Sequence, residues 1–445
     1  MLPPLQAWCW LHRHGLRRPI RLRLMAQRSA TTEQDARIGV RAFRHSSNGH
    51  VPGDATTPRG IERHQAIVVG AGSAGLAAAV ALQERGFETI VIEKSDAVAA
   101  SWRSRYAELR LNSWRPMSKL QGPGIPRSCG RYPSRDDVVR YLESFARRHA
   151  IELRFRTELL GMNRDNEFWR LETSSRSMLC RYLVIATGWD TVPVMPSWPG
   201  ADSFGKELIH SSEFRSAAVY RGRDILVVGA GNSGLDIASH LVRAGARVTL
   251  SVRTPPNLAA REVLRLPGQP LLVYFGDHVP GAVADAIFRA VQRLTFGDLT
   301  RYGIPGSAIG VYANYREHRR NPAVDDGFIA ALKQGTARAV GTVERFAGSE
   351  VVLDGGIRLR PDAVICATGY RRGLEALVGH LGVLGDDGVP IHHGGSDHPR
   401  APRLYFCGMW GPFSGQIRLG PIHARRIARA ATIDRTMRYR VSSGV

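Results

Sequence analysis

A chain of 445 residues exceeds one ordinary domain and leaves room for two or three, and its 43% hydrophobic and 22% charged residues suit a globular protein with a sizeable core. The formal net charge of +22 raises the question of a nucleic-acid partner, but only four of the 61 basic residues are lysines (Lys94, Lys119, Lys206, Lys333) and the arginines form no long basic block, a pattern that coding bias in a GC-rich genome also produces. No nucleic-acid partner is expected, and no apolar run reaches the ~18 residues that mark a transmembrane helix.

Residues 1–64 differ from the rest. The first acidic residue is Glu33, preceded by Arg13, Arg17, Arg18, Arg21, Arg23 and Arg28. Such a basic, acid-poor start reads either as a mitochondrial transit segment or as an upstream extension, with Met25 one candidate start. Residues 45–60 (HSSNGHVPGDATTPRG) read as a disordered linker. The five cysteines, Cys9, Cys129, Cys180, Cys366 and Cys407, form no CxxC pair, which suits reduced thiols in a cytoplasm-like compartment.

The fold is expected to begin near Gln65. QAIVV is a short apolar strand, GAGSAG a glycine turn, LAAAVALQERG a helix and ETIVIEK a second strand. The same order recurs in RDILVVGAGNSGLDIASHLVRAGARVTLSVR, residues 223–253. Two more strands, RYLVIATG and DAVICATGY, end alike, one between the glycine turns and one after both. These elements predict an α/β fold with two Rossmann-like dinucleotide-binding domains, the second nested within the first. The boundaries drawn are 65–190 for the first part, 191–367 for the second domain with a helical insertion at 255–330, 368–432 for the return, and 433–445 for a tail.

Gly70, Gly72 and Gly75 make GxGxxG between strand and helix, with Ser73 and Ala74 opening the helix. The first glycine permits the turn, the second admits a pyrophosphate, and the third lets helix and strand pack. The helix N-terminus presents free N–H groups to the phosphates. Glu93 ends the next strand 18 residues after Gly75, where a carboxylate accepts hydrogen bonds from ribose hydroxyls. Lys94 follows it. Gly229, Gly231 and Gly234, with Asn232 and Ser233, repeat the turn. Here the second strand ends in Ser251 and Arg253 without an acid, so a 2′-phosphate would be welcomed. The first site therefore reads as FAD-binding and the second as NADPH-binding.

On these residues the chain resembles the class B flavoprotein monooxygenases, which include flavin-containing, YUCCA-type and Baeyer–Villiger enzymes. The resemblance covers about residues 65–432. It extends to FGKELIHSSEFR, residues 204–215, where Phe204, His210 and Phe214 fit F-x-G-x-x-x-H-x-x-x-[YFW]. Lys206 departs from that pattern, with Gly205 one place early. AASWRSRY puts Trp102 where the family keeps a tryptophan near the flavin. LRLNSWRP supplies Asn112 and Ser113, like the Asn-Ser of animal flavin-containing monooxygenases. YPSRDD and GDLTRYGIP resemble YUCCA-type stretches.

The resemblance implies an NADPH-using monooxygenase in which reduced FAD forms a hydroperoxyflavin and oxygenates a small organic substrate with molecular oxygen. Asn112 and His210 are its candidate catalytic residues, and Lys94 and Trp102 join the glycine turns, Glu93 and Arg253 as cofactor-binding candidates. Phe214 and Asn112-Ser113 favour N- or S-oxygenation, or YUCCA-like oxidative decarboxylation of a 2-oxo acid, over Baeyer–Villiger insertion. A flavin reductase of a redox partner is the rival reading, opposed by the missing CxxC. Within 255–330, Val283, Ile287, Val291 and Leu294 share a helical face and are expected in the core, with a substrate lid or lipid-facing edge as the alternative. Peripheral membrane contact and oligomeric state stay open.

Overall fold

The computed structural model describes residues 61–411 and 413–443. The expectations for residues 1–60, the linker included, lie outside the described residues, whereas residues 62–64, drawn into the N-terminal extension, belong instead to the first strand. Two parallel-rich sheets carry the fold, and the chain builds the second before finishing the first.

The first sheet takes β1 (Glu62–Val69), β2 (Thr89–Ile92), β3 (Glu152–Arg154), β4 (Leu159–Asp165), β5 (Phe168–Thr173) and β6 (Ser177–Ile185). Its order is β3-β2-β1-β6-β5-β4. The second sheet takes β7 (Glu207–His210), β8 (Asp224–Val228), β9 (Arg247–Ser251), β10 (Ala337–Val340) and β11 (Ala363–Cys366), in the order β10-β9-β8-β11-β7, all parallel. The chain then returns to the first sheet as β12 (Leu404–Phe406), parallel to the end of β6. The start of β6 pairs antiparallel with β5, so one strand serves two neighbours on the same side.

β1 explains the burial. Ala66, Ile67 and Val68 are fully buried, Ala66 and Val68 in one core and Ile67 in another, because both faces of the sheet are covered. The strand starts three residues before Gln65. Glu62, Arg63 and His64 pair with Met178, Leu179 and Cys180, and alternation turns His64 inward while Arg63 and Gln65 face out. Apolar content alone had marked only the fully buried half.

Five helices matter to the site: α1 (Ser73–Gln83), α2 (Asn232–Arg243), α3 (Gly268–His278), α4 (Gly281–Phe296) and α5 (Gln416–Ser443). α1 is rich in alanine because α5 lies across it, and small side chains allow the close approach. Ala424, Ile427, Ala428 and Ala431 form the buried stripe of α5. The residues expected as a tail continue this helix to Ser443. They are held by contacts that sequence spacing does not show: the Tyr182 hydroxyl donates to Asp434 at 2.8 Å, and Arg435 donates to the carbonyls of Arg85 and Gly86.

The expected insertion is mostly helical but opens with short strands and a hairpin between Glu262 and Pro267. The apolar stripe of α4 is not core. Val283 is 51% and Leu294 88% exposed, while Ile287 and Val291 between them line a cavity. The buried positions of α4 are Ala284, Asp285 and Phe296. Periodicity found the apolar face, but that face meets a void rather than a packing partner. No helix among the described residues is long and apolar enough to cross a membrane.

Candidate functional site

The two glycine turns have the same backbone. A Cβ on Gly75 would stand 1.8 Å from the Gly70 carbonyl oxygen, and one on Gly234 1.8 Å from that of Gly229. Only glycine lets α1 and α2 lie this close to their strands. Cβ atoms on Gly72 and Gly231 would meet nothing within 4 Å, so both turns leave an open side. Gly72 and Gly231 also cap their helices without any side-chain hydrogen bond, which leaves the first N–H groups of α1 and α2 free for an anion. Each turn is backed by an ATG segment: Gly70 by Ala186 and Gly229 by Ala367.

The strand ends next to the turns differ. The Gly70 N–H donates to Ile92 O at 2.8 Å and the Gly229 N–H to Ser251 O at 2.9 Å. That bond aligns Glu93 with Val252, and Lys94 with Arg253. Glu93 accepts from the Ala71 N–H at 2.7 Å and from the Ser95 N–H and hydroxyl at 3.0 and 2.9 Å. Its counterpart Val252 is buried and apolar. Lys94 is exposed. Arg253, also exposed, lines a cleft of about 440 Å³ together with Gly229, Gly231, Ser251 and Thr368.

The first turn fits a dinucleotide on independent grounds. The buried Thr187 hydroxyl beside Gly70 and the buried Gln416 carbonyl oxygen at the start of α5 have no hydrogen-bond partner in the protein. Buried polar atoms in a native fold are normally satisfied, so such orphans mark where a ligand's polar groups belong. Gly408 and Gly420 both press on Ala74, which brings β12 and α5 against the turn. Trp102 packs on the core cluster beneath it.

Beside the second turn, reaching the first residue of α2, lies a largely apolar cavity of about 320 Å³. Leu258, Leu272, Phe275, Ile287, Phe288 and Val291 make its apolar walls, and Asn112, Ser113, Asn232 and Arg261, with Gln269, Gln292, Thr295 and Asn321, its polar lining. Asn112 and Asn232, 120 positions apart, meet there: Asn112 Nδ2 donates to Asn232 Oδ1 at 3.2 Å. Sequence reasoning selected both residues, Asn112 as a catalytic candidate and Asn232 as a cofactor-binding one, and the structure brings them together. It missed Arg261, whose guanidinium donates to Asn112 Oδ1 at 2.9 Å. No motif marks Arg261. Its neighbours Glu262 and Arg265 carry charge as well, so local sequence does not single it out.

His210 lies elsewhere. It is buried at the end of β7, where its Nδ1 accepts from the Ser212 N–H at 3.1 Å and its Nε2 donates to Gly369 O at 3.1 Å. Burial lowers its pKa, which favours the neutral ring. It is not among the cavity-lining residues and reaches the second cleft only through Gly369. The misplaced glycine of its motif is also explained: Gly205 takes the left-handed turn, φ +67°, and Lys206 Nζ donates to Pro361 O at 2.8 Å.

Two open glycine turns of matching backbone, with an apolar cavity that reaches the first residue of α2, fit a dinucleotide-dependent oxidoreductase. Residues 67–264 match the family model for pyridine nucleotide-disulphide oxidoreductases. The chain is 32% identical over 369 residues to the indole-3-pyruvate monooxygenase YUCCA8 of Oryza sativa subsp. japonica, covering 80% of this chain and 87% of that protein. It is 29% identical over 336 residues to the probable indole-3-pyruvate monooxygenase YUCCA3 of Arabidopsis thaliana, covering 73% and 77%. The flavin-containing monooxygenase of Stenotrophomonas maltophilia has the same fold, with a TM-score of 0.66, 21% identity and coverage of 84% of this chain and 99% of that one. The chain belongs to the class B flavin monooxygenases, alongside the YUCCA-type members. It is a flavin-dependent oxidoreductase that uses FAD and NADPH.

Proposed function

We propose that the protein oxygenates a small, largely apolar molecule held in the 320 Å³ cavity, with FAD at the first glycine turn and NADPH at the second. The observation that carries this reading is the cavity itself, whose polar lining includes Asn112 and the first residue of α2. FAD supplies the oxygen-activating chemistry when bound, and NADPH the reducing equivalents.

The chain's own residues bind, orient and exclude water. Gly70, Gly72, Ser73, Ala74 and Gly75 hold the FAD pyrophosphate against the α1 N-terminus, and Glu93 holds the ribose. Lys94 and Trp102 flank that site. Gly229, Gly231, Asn232, Ser233 and Gly234 hold the NADPH pyrophosphate, and Arg253 pairs with the 2′-phosphate. In this reading the sheet order corresponds to an NADP domain nested in an FAD domain, with the return after residue 367. Asn112 presents its amide to the cofactors and His210 braces the second cleft. The apolar walls keep water from the reacting centre.

Phe214 and the Asn112-Ser113 pair favour N- or S-oxygenation, or oxidative decarboxylation of a 2-oxo acid as in the indole-3-pyruvate monooxygenases, over Baeyer–Villiger insertion. Free cysteines and the lack of a membrane-spanning helix among the described residues support a cytoplasmic reading. Product analysis with a thioether, a tertiary amine, an aryl 2-oxo acid and a cyclic ketone tests the substrate class. Oxygenation or decarboxylation of one of the first three is expected. Lactone from the ketone, with no turnover of the others, would overturn the ranking.

A further inference from the structure

We infer that Arg261 is a positioning residue that sets which way the Asn112 amide points, an inference that rests on the reading of Asn112 as a cofactor-facing group. Arg261 is the one charged side chain lining the cavity among the described residues, and it is 10% exposed. One guanidinium nitrogen donates to Asn112 Oδ1 at 2.9 Å and lies 3.7 Å from the Asp236 carboxylate. The other lies 3.2 Å from Asp326. The Tyr132 ring sits 5.3 Å from the guanidinium carbon. Asp236, His240 and Asp326 place their polar atoms within 4.8 Å of one another in the manner of a cation site, and the guanidinium already bridges the two carboxylates.

An asparagine amide has two ends of nearly equal shape, so its partners alone decide its orientation. A guanidinium offers donors only and stays charged at any working pH. Arg261 therefore holds Oδ1 toward itself, and Nδ2 must face the other way, where it donates to Asn232 Oδ1. Asn232 is itself fixed, because its Oδ1 also accepts from the Val324 N–H at 2.9 Å and its Nδ2 donates to Pro322 O at 3.2 Å. The far end is anchored too. Tyr106 donates its hydroxyl to Asp236, and hydrogen bonds from His240 and Tyr106 outweigh burial to hold that carboxyl below its usual range. A line of hydrogen bonds, with the Arg261–Asp236 ion pair as one link, thus runs from Tyr106 through Asp236, Arg261 and Asn112 to the first residue of α2. It joins the stretch before the second glycine turn, the turn's own helix and the insertion.

Lysine at 261 would keep the charge but lose the planar fork that reaches two carboxylates and an amide together. The test compares Arg261→Lys, Asn112→Ala and the double variant as FAD-loaded full-length protein. Two quantities are read: the NADP⁺ dissociation constant by calorimetry, and hydrogen peroxide released per NADPH oxidised. Each single variant is expected to weaken NADP⁺ by about fivefold or more and to raise the peroxide fraction several-fold, and the double variant to match Asn112→Ala alone. Additive losses would show that Arg261 acts independently of the amide and overturn the inference. So would wild-type behaviour of Arg261→Lys beside an impaired Asn112→Ala. A normal Asn112→Ala would instead overturn the reading of Asn112. Should Arg261→Lys not fold, Asp326→Asn leaves the guanidinium anchored from one side and is expected to shift both readouts the same way, by less. Unchanged readouts there would count against the inference.

Discussion

At the first glycine turn, the Glu93 carboxylate accepts the Ala71 N–H and closes over the loop. At the second, the aligned residue is buried Val252, no acid among the described residues lines the cleft at the turn, and the next position is an exposed arginine. The two turns share their two nearest glycine contacts to a tenth of an ångström, so in the reading proposed above the backbone does not distinguish the dinucleotides. One or two side chains at the end of the neighbouring strand are proposed to do so. The helices differ as well. α1 is almost wholly buried and serves packing, whereas α2 carries Asp236 and its ion network toward the cavity. The two units thus share the backbone of the turn and differ in what surrounds it.

The largest expected effect comes from breaking what the turns share. Gly75→Ala and Gly234→Ala each force a Cβ onto a backbone oxygen and should cost about 3 kcal/mol or more. Both variants should lose folded, yellow protein, as read by absorbance at purification. Gly72→Ala, whose Cβ meets open space, should fold normally and lose only FAD affinity. Normal stability of Gly75→Ala would contradict the packing described here.

Next comes what distinguishes the first turn. Glu93→Ala removes the acceptor proposed for the ribose, and each lost charge-assisted hydrogen bond is worth about 1.5–3 kcal/mol, so FAD affinity should fall roughly a hundredfold. Titration of the apoprotein with FAD measures this, and NADPH selectivity should not change. Smaller again is the effect of a charge in the cavity wall. Ile287→Asp puts an unpaired carboxylate among apolar groups and should raise the KM for substrate about tenfold while leaving that for NADPH unchanged. Equal changes in both would argue that the cavity is not the substrate site.

The smallest effect is on stability against pH. Burial on α5, with the charges of His393 and Arg426 nearby, pushes the His423 pKa down to about 4 from 6.5. A depressed folded value means that the unfolded chain binds this proton more readily. Its contribution is therefore complete above pH 6.5 and lost as pH falls toward 4. Thermal melts of wild type and His423→Phe should converge or cross over that window. A constant gap would remove His423 from the account.

The glycine turns were legible in the sequence because a backbone constraint leaves only one residue type in its place. Glu93 was legible for a related reason: strand and helix lengths fix its distance from Gly75. Arg261 was not, because its partners Asn112, Asp236 and Asp326 come from three separate stretches and nothing local marks their meeting. The α4 stripe was legible as apolar but not as a cavity wall, since periodicity reports a face and not what it faces. The end of α5 looked like a tail because its anchors, Tyr182, Arg85 and Gly86, lie more than two hundred residues away.

The central claim, that two equal turns are told apart by their strand ends, is tested most directly by anaerobic reduction of the bound flavin. NADPH and NADH are compared in wild type and in Arg253→Ala. The account predicts that wild type prefers NADPH by about ten- to a hundredfold, and that Arg253→Ala loses most of this preference while keeping its full complement of FAD. Equal efficiency of the two donors in wild type, or an unchanged preference in Arg253→Ala, would contradict it.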